Sequence, residues 1–265
     1  MFKSLEYIGM TVKRWVTIVL EFSRLIFDTA YWIVVGPFRG KPINFPSVFE
    51  QMVFMGINSI VIVFFVTFFT GIVLAMQSAH QLSKMGAIIY VASLVTISIC
   101  RELGPVLTAL VMAGRIGAAI TAEVGSMQVN EQIEALDTMA INPTRYLIVP
   151  KLLSLLIMLP CLTVIGDMSG ILGGYVIGVY SLKINAGLYI QTALKYLTLK
   201  DIYTGLSKPF VFAVIITMVG AYQGFKTRGG AVGVGKATTI SVVVSFILII
   251  LADCVVTGIY YFSDF

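Results

Sequence analysis

Charge is scarce in this chain, and histidine scarcer still. Only 12% of its 265 residues are Asp, Glu, Lys or Arg, about half of the roughly 25% usual in soluble domains. A soluble chain of this length could bury a large core but would still need a polar coat. With 58% hydrophobic residues and a mean hydropathy of +0.96, this one cannot supply it, so most of its surface must face lipid. The apolar runs are continuous and lack the short alternation of a β-barrel. A single histidine, His80, excludes a two-histidine metal site or a Cys/His cluster and reads as an interfacial polar residue. "GDMSG" (166–170) departs from G-x-S-x-G, and no second histidine could serve as its base. Cys100, Cys161 and Cys254 lie in apolar runs, read as buried small side chains without a disulfide framework. The net charge of +5, without a basic-aromatic run, argues against nucleic-acid binding. The first apolar stretch is laced with charge and lacks a small-residue cleavage site, so no cleavable signal is expected.

What remains is a polytopic, all-α membrane protein. Over residues 5–35, Glu6, Lys13, Arg14, Glu21, Arg24 and Asp28 fall within one sector of roughly 100° on a helix. Glu21 and Arg24, and Arg24 and Asp28, stand at pairing distance. This predicts an amphipathic helix lying in the membrane interface, followed by a turn at "GPFRGKP" (36–42). Five spans are predicted, at 52–77, 87–125, 147–180, 203–225 and 237–261. The second would extend ~58 Å as a straight helix against ~30 Å of hydrocarbon, and Gly104-Pro105 predicts a bend in it. Placing the N-terminus in the cytoplasm puts eleven Lys and Arg inside, Lys151 among them. Five then lie outside: Lys84, Lys183, Lys195, Lys200 and Lys208. That asymmetry favours this orientation.

Between the second and third spans lies "NEQIEALDTMAINPTRYLIVPK" (130–151). Glu131, Glu134 and Asp137 stand here, with Glu123 just upstream. Asn130 reads as an N-cap, acidic residues fill the first turns, and Asn142-Pro143 reads as the stop, giving a helix over 130–142. Ile133, Leu136 and Met139 recur at helical spacing beside the charged face. Such a stripe suits docking into a groove of a soluble partner, or packing on the chain itself.

"RELGPVLTALVMAGRIGAAITAEVGSM" (101–127) followed by "EQIEALDTMAINPTRYLIVPK" (131–151) resembles the signature of the MlaE/YrbE-type permeases, the membrane subunits of lipid-transporting ABC systems. Their plan of an interfacial helix and five spans matches nearly the whole chain, as one permease domain over 1–265. The family shows Asp more often where Asn142 stands and Arg where Lys151 stands. The resemblance implies that the segment 131–142 is a coupling helix seated in an ATPase subunit, with Glu131, Ile133, Glu134, Leu136, Asp137, Met139, Asn142 and Pro143 as coupling residues. It implies a homodimer in a bacterial inner membrane, a phospholipid substrate, a periplasmic substrate-binding MCE protein and a small STAS-domain regulator. ATP and magnesium would sit on the ATPase, leaving this chain without a cofactor, metal or catalytic residue. The function it implies is moving phospholipid between the inner membrane and the MCE carrier, maintaining outer-membrane lipid asymmetry. The alternative from another class is a stand-alone channel or secondary transporter for a lipophilic substrate.

Arg101 and Glu102 open the second span, and intramembrane charges usually face a cavity, a partner or a pathway. The resemblance implies that they line a lipid cavity between two copies; a structural ion pair to another helix is the other reading. Arg115 and Glu123, eight apart, share a face near the cytoplasmic end and read as structural or coupling residues. Asp167 and Asp253 are candidate partners for Arg101 or Arg115. Gly166, Gly170, Gly174 and Gly178 form a small-residue ridge for close helix packing. "GAVGVGKA" (230–237) imitates a phosphate loop, but Ala237 replaces its Ser or Thr and no strand precedes it; it reads as a cytoplasmic turn.

Overall fold

The computed structural model describes the backbone of residues 2–37 and 44–262, and their side chains apart from 2–12, 14 and 15. Arg39 and Lys41 of the expected turn, and the side chains of Lys3, Glu6, Arg14 and Trp15, fall outside the described residues. Among the described residues the chain is helical without β-strands. Helix α1 runs Phe2–Val34. Five helices are long and apolar enough to cross a membrane: α2 (Phe45–Ser83), α3 (Ile88–Val129), α5 (Thr144–Ser181), α7 (Leu199–Phe225) and α8 (Gly230–Phe262). Between them lie the short α4 (Gln132–Thr138) and α6 (Ala186–Tyr196).

Each span is longer than its apolar run, because hydropathy marks the lipid-facing length while capping marks the helix end. At α7, Asp201 N–H donates to Thr198 Oγ1 at 3.4 Å and Thr198 N–H donates to Asp201 Oδ2 at 2.9 Å, a reciprocal cap. The helix therefore starts before 203; Lys208, counted among the outside cations although the expected span of 203–225 contains it, lies inside the membrane helix. At α8, Gly229 and Gly230 take φ of +91° and +68°, and the chain is helical from there. The phosphate-loop imitation is thus the first two turns of a membrane helix and not a turn.

The bend in α3 is a pair of widened π turns, Ile99–Leu103 and Ala113–Gly117. Pro105 carries no N–H and its ring crowds the carbonyl four residues back; the wide turn before Gly104 accommodates both. α2 breaks at Gly56, where a 3-10 turn over Ile57–Ser59 separates Phe45–Met55 from Ile60–Ser83.

The core lies where α3, α5 and α7 meet, around Met112, Ile116, Leu155, Leu159, Phe212 and Ile216, all fully buried. The glycine ridge of α5 packs inside the same chain. A Cβ on Gly71 of α2 would run into the Gly170 carbonyl, and one on Gly173 into the Phe68 carbonyl. Gly166 faces Thr108 and Thr67, while Gly174 and Gly178 receive Tyr189 of α6. α6 escaped the hydropathy reading, although Asn185 signals its start: its Oδ1 accepts from Gly187 N–H at 2.9 Å and Leu188 N–H at 3.3 Å. Of the cysteines, only Cys100 is buried; Cys161 and Cys254 are exposed, correcting the expectation that all three are interior. Thioether- and thiol-sized apolar groups need no burial where lipid is the solvent.

Candidate functional site

The most concentrated charge within the spans is built on three helices. Lys208 of α7 has a fully buried side chain, 0% exposed, and its Nζ donates to Glu102 Oε2 of α3. Asp253 Oδ1 of α8 lies 2.8 Å from the same ammonium. Thr257 Oγ1 donates to the second Glu102 oxygen at 3.1 Å. Two carboxylates thus face one cation, and Glu102 remains 38% exposed. Arg101, one residue earlier in the π turn, points elsewhere: its Nε lies 3.4 Å from Asp201 Oδ1. Neighbours on a helix cannot share a face, so each takes its own partner. Lys208 stands ~14 Å along the axis from Leu199, in the half of the membrane away from α4.

Neither expected partner reaches an arginine. Asp253 belongs to Lys208, and Asp167 sits beside Gly104 with its Oδ1 buried and without a hydrogen-bond partner among the described residues. The expected span of 203–225 already contains Lys208, so the sequence itself offers a cation at membrane depth that the count of charges by side places outside.

At the other end of the spans, Glu123 and Arg115 part company. The π turn over Ala113–Gly117 inserts a residue and rotates Arg115 off the Glu123 face. Arg115 Nη1 donates to Ser59 Oγ, and its guanidinium lies 5.9 Å from the Phe54 ring centroid, so it grips the break in α2. Glu123 Oε2 accepts from Lys151 Nζ at 2.7 Å, and Gln51 Oε1 stands 3.4 Å from the same nitrogen. Lys151, counted among the cytoplasmic cations, is 2% exposed: the pair ties α2, α3 and α5 together beneath α4.

The acidic segment forms a shorter helix than its pattern suggested. Asn130 closes α3, and Glu131, left-handed at φ +59°, starts α4 in its place. Ala140, at φ +58°, ends the segment before Asn142-Pro143 is reached. Asn142 instead opens α5, its Oδ1 accepting from Arg145 N–H at 2.9 Å. Left-handed residues on both sides hold α4 as a separate bracket between two membrane helices. Ile133 turns into the chain's own core, 7% exposed, with Leu136 packed at its border. Glu131, Glu134, Asp137 and Met139 (62% exposed) face outward.

α1 is fastened to this end. Lys226 Nζ lies 2.5 Å from Glu21 Oε2 and 2.6 Å from the Tyr222 hydroxyl, which donates to Glu21 at 3.2 Å. The hydrogen bond from Lys226 holds the Glu21 carboxyl below its ordinary pKa, so the clamp persists at neutral pH and is lost on the acid side as Glu21 takes up a proton. Arg145 stacks over Trp32, 5.6 Å from the ring centroid. The Glu21–Arg24 and Arg24–Asp28 pairs expected from spacing do not form among the described residues; Glu21 turns to Lys226 instead.

The family described as Permease MlaE matches residues 48–259. A probable ABC transporter permease protein of Rickettsia typhi is 40% identical over 232 residues, 88% of this chain and 90% of that protein. A probable ABC transporter permease protein of Synechocystis is 36% identical over 236 residues, 88% of this chain and 89% of its own length. The intermembrane phospholipid transport system permease protein MlaE of Haemophilus influenzae is 33% identical over 247 residues, 91% and 94% of the two chains. The family match runs from α2 into α8 and takes in the charged centre and α4, and on these grounds the chain, a multi-pass membrane protein, belongs to the MlaE family of ABC transporter permeases.

Proposed function

We propose that this permease moves phospholipid, powered by an ATPase on a separate chain that seats on α4, and that it works as a homodimer in a bacterial inner membrane with its N-terminus in the cytoplasm. The observation that carries the reading is α4 itself: a seven-residue helix fixed between two left-handed residues, its charged face and Met139 presented outward. It is braced on the core through Ile133, so a push on α4 passes into α3 and α5, where Glu123 and Lys151 join them. The phospholipid substrate follows the printed function of the Haemophilus relative.

Homodimerisation is supported by uneven burial. The most apolar window of α8 is 11% buried within the chain, against 56% for α5 and α7, so α8 offers the face a second copy could cover. With Lys151 and Lys208 removed from the side count, ten Lys and Arg remain on the α4 side and four on the other, keeping the cytoplasmic placement. α1 suits the interface: Phe22 and Ile26 pack on the core, Phe27 is 75% exposed, and Arg24 and Asp28 complete a polar strip. Arg101 and Glu102 are assigned to the lipid path, with an MCE protein receiving the lipid at the α6 side to sustain outer-membrane asymmetry, and a STAS-domain protein as regulator.

The docking step has a direct test. Met139→Asp places a carboxylate in the outward apolar contact without touching the core, and is expected to lower co-purification of the ATPase by about tenfold or more, the size of one buried hot-spot contact. Insertion and melting temperature should stay at the parent's values. Undiminished ATPase association would remove α4 from the docking surface.

A further inference from the structure

A cavity of about 970 Å³ opens between α1 and the segment joining α4 to α5, and none of the roles above uses it. Its wall on α1 carries Arg24 and Asp28, and its far wall carries Asn142. Leu25 and Phe27 add apolar surface beside these polar groups. Glu21 also borders it but is committed to Lys226 and Tyr222. Arg24 and Asp28 are four residues apart, the spacing at which a helix ordinarily pairs them. Among the described residues, however, no ion pair joins them and neither has another ionic partner. One cation and one anion, each unneutralised, thus share a cavity that also offers an amide and an apolar edge.

The geometry points to a binding site for a phosphoethanolamine headgroup, taken from a phospholipid of the cytoplasmic leaflet. Arg24 provides the planar fork that recognises phosphate oxygens. Asp28, one turn further, accepts from a primary ammonium. Leu25 and Phe27 meet the start of the acyl chains. A phosphate alone would leave Asp28 facing an anion, and a quaternary ammonium could not donate to it, so the charge pair selects a primary amine. The site is separate from the charged centre of Glu102, Lys208 and Asp253. It also touches the segment through which α4 connects to α5, where an occupant would tie α1 to the coupling element. The inference rests on the interfacial, cytoplasmic placement of α1 proposed above.

The test uses the full-length chain in nanodiscs of equal parts phosphatidylethanolamine, phosphatidylcholine and phosphatidylglycerol, with benzoylphenylalanine at position 27 and mass analysis of the lipid adducts. Adducts of phosphatidylethanolamine should exceed those of either other lipid by roughly tenfold, the worth of one charge-assisted hydrogen bond. Asp28→Asn should abolish that preference, and Arg24→Gln should reduce adducts of all three lipids. Both side chains lie at the surface of α1, so both variants should melt like the parent. Adducts in proportion to the bilayer, or a preference that both substitutions leave intact, would overturn the headgroup site while leaving α1 at the interface. Absence of any lipid adduct would overturn the interfacial placement as well. Soluble phosphoethanolamine should fail to compete, since it lacks the chains that Leu25 and Phe27 contact; displacement by it would reassign the site to a soluble ligand.

Discussion

Lys208→Met is expected to remove most of the folded protein. The side chain is fully buried between Glu102 and Asp253, and methionine of similar length leaves two carboxylates facing each other at membrane depth. Breaking a buried pair by deleting one partner costs about 3–5 kcal/mol, a large share of the 5–15 kcal/mol that holds a typical domain. Purified yield and melting temperature should fall together. The triple change Lys208→Met, Glu102→Gln and Asp253→Asn removes all three charges and should restore much of the stability, because no uncompensated carboxylate is then left at membrane depth. Glu102→Gln alone is a milder change. Lys208 keeps Asp253 at 2.8 Å, so no cation is stranded, and the variant should assemble near normally. Transport by Glu102→Gln therefore reads the role of the carboxylate itself: transport lost in a stably folded protein supports Glu102 on the lipid path, and transport kept reduces it to a strut. A Lys208→Met variant that melts with the parent would show that the centre is not buried as described.

The contrast between Lys208 and the glycine ridge shows what could be read from the sequence and what could not. Five spans, the bend before Pro105 and the separate partners of Arg101 and Glu102 follow from local rules: apolar length, a missing N–H and the angle between helical neighbours. The pairing of charges does not. Whether Asp253 meets Arg101, Arg115 or Lys208 depends on how α8 is rotated against α3 and α7. That rotation is fixed by packing among Ile116, Phe212 and their neighbours, contacts that no spacing along the chain encodes. The π turn at Ala113–Gly117 adds a rotation that a regular 3.6-residue wheel omits, which is why Arg115 and Glu123 separate. The α4 segment failed in the opposite way. Its apolar period was legible, but the same period serves an outside groove or the chain's own core, and Ile133 took the core.

Gly173→Leu should be as damaging as the loss of Lys208, by a mechanism without charge. Helices in lipid associate through van der Waals packing and not through exclusion of water, so close approach of their backbones carries the interaction. At Gly173 an added Cβ would meet the Phe68 carbonyl, with the Phe68 carbonyl carbon at 3.1 Å and Ile72 N at 3.2 Å. These are backbone atoms of a hydrogen-bonded helix, so no rotamer change can clear them. α2 and α5 must separate or slide, which strips Gly71 from Gly170 one turn along the same interface. Overpacking a well-filled core costs about 1–3 kcal/mol, and Gly173→Ala should fall in that range. Leucine should exceed it and abolish a single melting transition. Gly114 supplies the comparison, because a Cβ there meets nothing within 4 Å in this chain. Gly114→Ala should hold or raise the melting temperature, by up to about 1 kcal/mol of helix propensity. The measurement is thermal unfolding of the three variants in one detergent, followed by intrinsic fluorescence. If Gly173→Ala unfolds with the parent, the α2–α5 backbone contact at Gly173 is not closed in the folded protein. If Gly114→Ala falls instead, the open side of α3 is covered in the assembled transporter, as a second copy packed there would require.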